Sequence, residues 1–189
     1  MRPAVFLDRD GTLIEDVGYL AAIARVAFYP WTIDAIRALN RAGLAVVVVT
    51  NQSGVARGYF SESFVESTHR HISARLEAGR ARVDAYYYCP HHPGGTVAPH
   101  ARACDCRKPA PGLIEKAAAD LGLDAARSFV VGDKWIDVRL ARTVGAGAIL
   151  VRTGSGAAEE TRPPAGVTAD AVVDNLAAAA SWILLGRRP

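Results

Sequence analysis

The chain of 189 residues holds one methionine, three cysteines and three lysines, and aromatic residues make up only 7% of it. Each shortage excludes something. Three cysteines, an odd number gathered between Cys89 and Cys106, argue against the paired framework of a small secreted domain. They fit a reducing compartment, with metal binding as the competing use of the thiols. No apolar run approaches the roughly 20 residues of a membrane span. The opening "MRPAVFLDRDG" enters an acidic turn instead of a small-residue cleavage site, so it does not read as a signal peptide. A cytoplasmic protein is expected. A net charge of +3 suits a small anionic substrate and is too weak to argue for nucleic acid. Tyr86, Tyr87 and Tyr88 fall in a predicted buried strand, so no basic–aromatic stripe for stacking bases appears. With no obvious exposed apolar stripe, a monomer is the expected state.

Half of the residues are hydrophobic and 22% are charged, enough for a sizeable core. Short apolar runs at 4–8, 44–50, 83–88, 128–133 and 147–152 are rich in Val, Ile and Tyr with little polar alternation. That is the pattern of parallel strands covered on both faces. Helical spacing follows between them. "WTIDAIRALNRAG" sets Ile33, Ile36 and Leu39 on one face and stops at Gly43. "SESFVESTHRHISARLEAG" predicts a helix opened by a Ser63/Glu66 capping box, with His69 and His71 expected at its surface. "PGLIEKAAADLG" and "IDVRLARTVGAG" repeat the pattern. A surface loop at about 153–168 leads to a last short strand and a helix at about 174–186. The alternation predicts one α/β domain over 1–189, a doubly wound Rossmann-like parallel sheet. Ligands of such sheets bind beyond the carboxyl ends of the strands.

Polar residues collect at those ends. Asp8 and Asp10 follow the first strand, Thr50 and Asn51 the second, and Asp133 the fourth. Neighbouring carboxylates raise each other's pKa unless a cation intervenes. Three hard oxygen donors suit Mg²⁺ completed by water and a substrate phosphate. A second cluster, "CPHHPGGTVAPHARACDC", offers Cys89, Cys104 and Cys106 with His91, and with His92 and His100 as competing ligands that spacing alone does not separate. Three thiolates and an imidazole make a closed tetrahedral zinc site. In a Gly/Pro-rich insertion at 89–106, zinc would replace a missing core.

"DRDGT" (8–12), "VVVVTNQSG" (46–54), "RKPAPG" (107–112) and "VVGDKWID" (130–137) together resemble the four ordered motifs of haloacid-dehalogenase-superfamily phosphatases. The resemblance spans about 4–152 and implies a HAD-like fold. It implies that Asp8 is a nucleophile forming an aspartyl-phosphate, and that Asp10 is the general acid and base. Thr50 and Lys108 would hold the phosphoryl oxygens. Mg²⁺ would rest on Asp8, the Asp10 backbone carbonyl and Asp133, with Lys134 adjacent. Asp137 is left open between a hydrogen bond to a metal-bound water and a solvent-facing place in a helix. The stretch from Asp8 to Thr50 already contains a helix and leaves no room for a separate cap domain.

The cysteine loop is similar to that of one branch of the superfamily, the heptose bisphosphate phosphatases and histidinol-phosphate phosphatases. This similarity favours His91 as the fourth zinc ligand. It further implies substrate contacts from Asp16, Val17, Gly18 and Tyr19, from Thr50, Asn51, Gln52 and Ser53, and from Arg107 and Lys108. Arg107 is suited to grip a second phosphate in bidentate fashion. The expected reaction is Mg²⁺-dependent removal of the C7 phosphate from a heptose 1,7-bisphosphate, with zinc structural. Histidinol-phosphate hydrolysis is the alternative. A zinc-loop nucleic-acid-binding protein or a polynucleotide 3′-phosphatase is the alternative of another class.

Overall fold

The first strand, β1 (Ala4–Leu7), is buried over its whole length. Its even members, Ala4 and Phe6, enter one core, and its odd members, Val5 and Leu7, enter another. The second strand, β2 (Ala45–Asn51), divides in the same way: Val46 and Val48 go to one side, Ala45, Val47 and Val49 to the other. Side chains that alternate between two apolar layers require a sheet covered on both faces. The computed structural model, which describes residues 1–186, has that architecture. Strands β3 (Ala85–Cys89), β4 (Phe129–Gly132), β5 (Gly147–Val151) and β6 (Ala171–Val173) complete a six-stranded sheet in the order β3-β2-β1-β4-β5-β6. Every pairing is parallel.

Helices α1 (Thr32–Arg41), α2 (Glu62–Ala78) and α6 (Leu176–Leu184) contribute Ile36, Leu39, Ile72, Leu76 and Ile183 to the layer that receives Val5 and Leu7. On the other face, α3 (Gly112–Leu121) and α4 (Trp135–Val144) supply Leu113, Ile114, Val138 and Leu140. Helix α6 therefore packs on the core beside α1. Among the described residues no helix is long and apolar enough to cross a membrane.

Four local expectations need correction. The cap of α2 is Ser61, whose Oγ accepts from the Phe64 N–H at 3.2 Å. Ser63 lies one position inside the helix, its Oγ 2.8 Å from that of Ser61. The strand β3 is an edge, so Tyr86, Tyr87 and Tyr88 are half-buried. Tyr87 and Tyr88 turn their hydroxyls outward to Asp120 and Glu62, and the Tyr86 hydroxyl accepts from Ser73. His69 is not at the surface but only 6% exposed, because α2 lays it on β3, where its ring stacks on Tyr86. The stretch expected as a surface loop carries a short helix, α5 (Gly156–Glu160), and its first residues reach the sheet edge.

Candidate active site

Chain direction through the sheet reverses at β1: β2 and β3 lie on one side, β4 to β6 on the other. The crevice at this switch point lies beyond the carboxyl ends of the strands. The register pairs Leu7 with Val48 and with Val131. The next residue, Asp8, therefore lies between the ends of β2 and β4, its N–H on the Val131 carbonyl at 3.0 Å. Thr50 closes in from β2 and Asp133 from the residue after β4. Asp8, Thr50 and Asp133 are 7%, 1% and 0% exposed.

Lys108 enters from the segment before α3 and is 3% exposed. Its ammonium donates to Asp8 Oδ1 at 2.8 Å, Asp137 Oδ1 at 2.7 Å and the Val49 carbonyl at 2.9 Å. All three protons are engaged. Burial alone would lower the Lys108 pKa, but the Asp137 and Asp8 carboxylates outweigh it and raise the pKa above the usual lysine range. Asp137 does not face solvent. It lies in the first turn of α4, is 1% exposed and forms the second arm of this bridge. Asn51 fixes the lysine's backbone, its amide donating to the Lys108 carbonyl at 3.1 Å and accepting from the Lys108 N–H at 3.0 Å.

Asp133 accepts the Ser155 N–H on Oδ2 at 2.8 Å, while its Oδ1 has no partner. Its neighbours on this side, Gly11 (φ +83°) and Gly154 (φ +57°), lie in the left-handed region, and a Cβ at either would run into the Asp133 carboxylate. Glycine is therefore needed at both positions to leave space for the acid. Burial, then the nearby Asp8 charge, push the Asp133 pKa well above the carboxylate range. Burial also raises that of Asp137, against the pull of Lys108. Oxygens of Asp8, Asp133 and Asp137 all lie within 4.8 Å of one another. Three buried acids, one lysine bridging two of them, and unpartnered oxygens on Asp133 and Asp137 make a donor set suited to a hard divalent cation. Lys134, 3.2 Å from Asp16 and 4.0 Å from Asp133, edges the cluster.

Asp10 is held apart from these acids. Arg9 approaches both of its oxygens, with Nε at 3.2 Å from each, and Gln52 Nε2 donates to Oδ2 at 2.9 Å. Burial raises the Asp10 pKa, Arg9 pulls it down and Asp8 pushes it up.

Asp10, Asp16, Gly18, Tyr19, Asn51, Gln52, Ser53 and Lys134 line one cleft of about 220 Å³. Leu20, Gly54 and Phe60 also line it. Val17, expected with the substrate contacts, packs instead against the apolar layer of α1 and α2. Arg107 is outside this lining, with Nη1 3.3 Å from the His91 carbonyl.

The cysteine loop leaves the end of β3, beside the carboxyl end of β2. Cys89 Sγ lies 3.5 Å from Cys104 Sγ and 3.2 Å from Cys106 Sγ, and Cys104 and Cys106 are 3.3 Å apart. No disulfide joins them. His91 Nδ1 is 3.3 Å from Cys106 and 3.8 Å from Cys89. A tetrahedron with metal–sulfur bonds of about 2.3 Å has edges of roughly 3.7 Å, so the four atoms are arranged to fit zinc. His92 points elsewhere, to Arg57 at 3.2 Å, and His100 to Glu62 at 3.5 Å. The loop is stapled to the cleft: Thr96 and Val97 donate to the Ala56 carbonyl, and the Cys89 carbonyl accepts the Gln52 N–H.

Arg9, Gly154 and Ser155 carried no expected role, and His69 was expected only at a helix surface. Arg9 stood in view between two acids; the others arrive from distant segments.

A doubly wound parallel sheet with buried carboxylates, a lysine and a threonine at the end of its central strand defines a phosphohydrolase of the haloacid-dehalogenase type. Comparison with known proteins agrees. A HAD-hydrolase-like family model matches residues 105–179, and a polynucleotide kinase 3 phosphatase model matches residues 4–138. The chain belongs to the HAD-like phosphatase family. It is 44% identical over 176 residues to the D-glycero-β-D-manno-heptose-1,7-bisphosphate 7-phosphatase of Escherichia coli K12, covering 93% of this chain and 90% of that protein. The D,D-heptose 1,7-bisphosphate phosphatase of B. bronchiseptica, solved with magnesium and phosphate, superposes with a TM-score of 0.86 at 32% identity, covering 98% of this chain and 99% of the other. The corresponding enzyme of Burkholderia thailandensis gives 0.71 at 28% identity over 97% and 99%.

Proposed function

We propose that this protein is a Mg²⁺-dependent phosphatase that removes the C7 phosphate of a D-glycero-D-manno-heptose 1,7-bisphosphate through an aspartyl-phosphate on Asp8. The observation that carries the reading is the buried Asp8–Lys108–Asp137 bridge, next to a small polar cleft lined by Asp10 and Asn51, in a chain 44% identical to a heptose 7-phosphatase along nearly its whole length.

Asp8 attacks phosphorus in line with the bond to the sugar oxygen, and Asp10 protonates the departing alkoxide. Asp10 then takes a proton from water, the water oxygen attacks phosphorus, and the aspartyl bond breaks to release phosphate. Splitting the displacement in this way is the gain of covalent catalysis. Asp10 must hold a proton in one half-reaction and take one up in the other; burial raises its pKa and Arg9 lowers it. Thr50 Oγ1 already accepts from Gln52 at 3.0 Å, so its own proton is free to donate to a phosphoryl oxygen. An entering phosphoryl oxygen takes over one of the three Lys108 contacts. Positioned donors of this kind supply most of the catalysis of phosphoryl transfer. Asp8, Asp133 and the Asp10 carbonyl would hold Mg²⁺, which when bound neutralises the acids and the phosphate. Arg107 keeps donors free for the second phosphate, and the cleft between Asp16 and Tyr19 receives the sugar.

Cys89, His91, Cys104 and Cys106 would hold a structural zinc in a compartment that keeps thiols reduced. Held there, it would clamp the segment carrying Arg107 and Lys108.

The polynucleotide kinase 3 phosphatase match favours a second reading, hydrolysis of a 3′-phosphate on nucleic acid. The match runs through the catalytic motifs, which serve any leaving group, and so speaks to chemistry more than to substrate. A phosphate-release panel decides between the two. It should give the highest kcat/KM on a heptose 1,7-bisphosphate anomer. Higher efficiency on histidinol phosphate or on a 3′-phosphorylated oligonucleotide would overturn the assignment.

A further inference from the structure

Arg9 is 2% exposed, an unusual place for a guanidinium unless every nitrogen is paired. Nε is 3.2 Å from both oxygens of Asp10, and Nη2 is 3.1 Å from Asp10 Oδ1 and 2.9 Å from Gln52 Oε1. Nη1 reaches His69 Nε2 at 3.4 Å. Gln52 closes the ring by donating to Asp10 Oδ2 at 2.9 Å and to Thr50 Oγ1 at 3.0 Å.

His69 is the member that chemistry at phosphorus does not need. It is 6% exposed and stacks on Tyr86 with ring centres 4.6 Å apart and planes 18° from parallel. The Tyr88 ring lies edge-on to it, with ring centres 5.9 Å apart. Burial, then the adjacent guanidinium, push its pKa down to about 3. A neutral ring in this position turns an unprotonated nitrogen to Arg9. The tyrosines fix the ring, the ring fixes the guanidinium, and the guanidinium with Gln52 fixes Asp10.

The pattern of donors says which half-reaction this serves. A carboxylate only accepts, whereas a carboxylic acid needs an acceptor for its own proton. Arg9 and Gln52 present only donors to Asp10, an arrangement matched to the carboxylate that receives a proton and mismatched to the acid that gives one. We propose that Arg9, anchored by His69 and Gln52, is a positioning residue that orients the Asp10 carboxylate to take the proton of the attacking water. The network thus governs hydrolysis of the aspartyl-phosphate more than its formation, a proposal that rests on the phosphatase reading above. In that step the water oxygen bonds to phosphorus, the bond between phosphorus and the Asp8 oxygen breaks with its electron pair left on Asp8, and the proton passes to Asp10.

The test uses the metal-loaded enzyme and heptose 1,7-bisphosphate labelled at the C7 phosphate, with rapid acid quenching. His69→Phe keeps the ring stack and removes the acceptor. Arg9→Met removes the guanidinium and keeps the stem. Slowing only the second step lowers kcat and KM together, leaves kcat/KM unchanged and raises the steady-state fraction of labelled enzyme. We expect kcat to fall about tenfold in each variant, with His69→Gln, which restores an acceptor, recovering much of the loss. A kcat/KM that falls in step with kcat, or variants with no extra labelled enzyme, would overturn the positioning role. A wild-type enzyme that releases phosphate without any label on Asp8 would instead overturn the underlying reading, and the proposal with it.

Discussion

Replacing Lys108 with methionine removes one buried ammonium while keeping most of the volume of its stem. It strands two carboxylates, Asp8 and Asp137, that now sit 2.8 and 2.7 Å from the nitrogen, and it frees the Val49 carbonyl. Removing one partner of a buried ion pair costs about 3–5 kcal/mol. In a chain of this size each kcal/mol lowers Tm by about 2–4 °C, so a fall of roughly 6–20 °C is expected without added Mg²⁺. The penalty has a pH signature. Asp137 is held above its ordinary 3.8 by burial, at about 6, even though Lys108 pulls it down. Without the lysine it moves higher. A carboxyl raised in the folded state contributes stability that is fully present below its unfolded value and is lost as pH rises through its folded value. The Lys108→Met penalty should therefore be small near pH 4 and grow as pH rises beyond about 6. Thermal melts of zinc-loaded protein across this range measure it. Adding Asp137→Asn to Lys108→Met removes one stranded charge and should return about half of the loss, as expected for groups in contact. A Tm within about 2 °C of wild type at pH 8, or a penalty that ignores pH, would refute the reasoning.

His69 sets an opposite pH dependence. Its folded pKa lies near 3 against 6.5 for the free group, so the stability it contributes is present above 6.5 and is lost as pH falls toward 3, by up to about 1.4 kcal/mol per pH unit. His69→Phe should flatten the acid limb by about 2–3 kcal/mol between pH 6 and pH 4, read from denaturant midpoints; equal slopes in both proteins would contradict it. Gly154→Ala would force a Cβ into Asp133 and against Gly11 at a left-handed φ. It should cost about 1–3 kcal/mol and weaken Mg²⁺ binding in a calorimetric titration; an unchanged affinity would count against Asp133 as a ligand. Elemental analysis should find about one zinc per chain, and stripping it should lower activity even when Mg²⁺ is restored.

The strand ends were legible because a buried parallel strand is a run of apolar residues, and the first polar residue after it marks the edge where ligands bind. Asp8, Thr50 and Asp133 stood out in this way and the three cysteines by their density, whereas His91 was preferred to His92 and His100 only through the likeness of the loop to one branch of the family. Asp137 stood undecided because helical spacing shows that a residue is in a first turn but not which way that turn faces. Only the packing of α4 beside Lys108 buries it. His69 was misplaced for a related reason: α2 has polar residues around much of its circumference, and an edge strand of tyrosines offers a histidine a partner that no local pattern announces. The Ser155 contact to Asp133 depends on a turn after β5 meeting the end of β4, a juxtaposition fixed by strand order alone.

The most direct test of the account is to quench the working enzyme in acid during turnover of the heptose bisphosphate and map the phosphoryl adduct by peptide mass spectrometry. The account predicts an adduct on Asp8 in the wild-type protein and none in Asp8→Asn. An adduct on any other residue, or turnover that persists in Asp8→Asn, would contradict it.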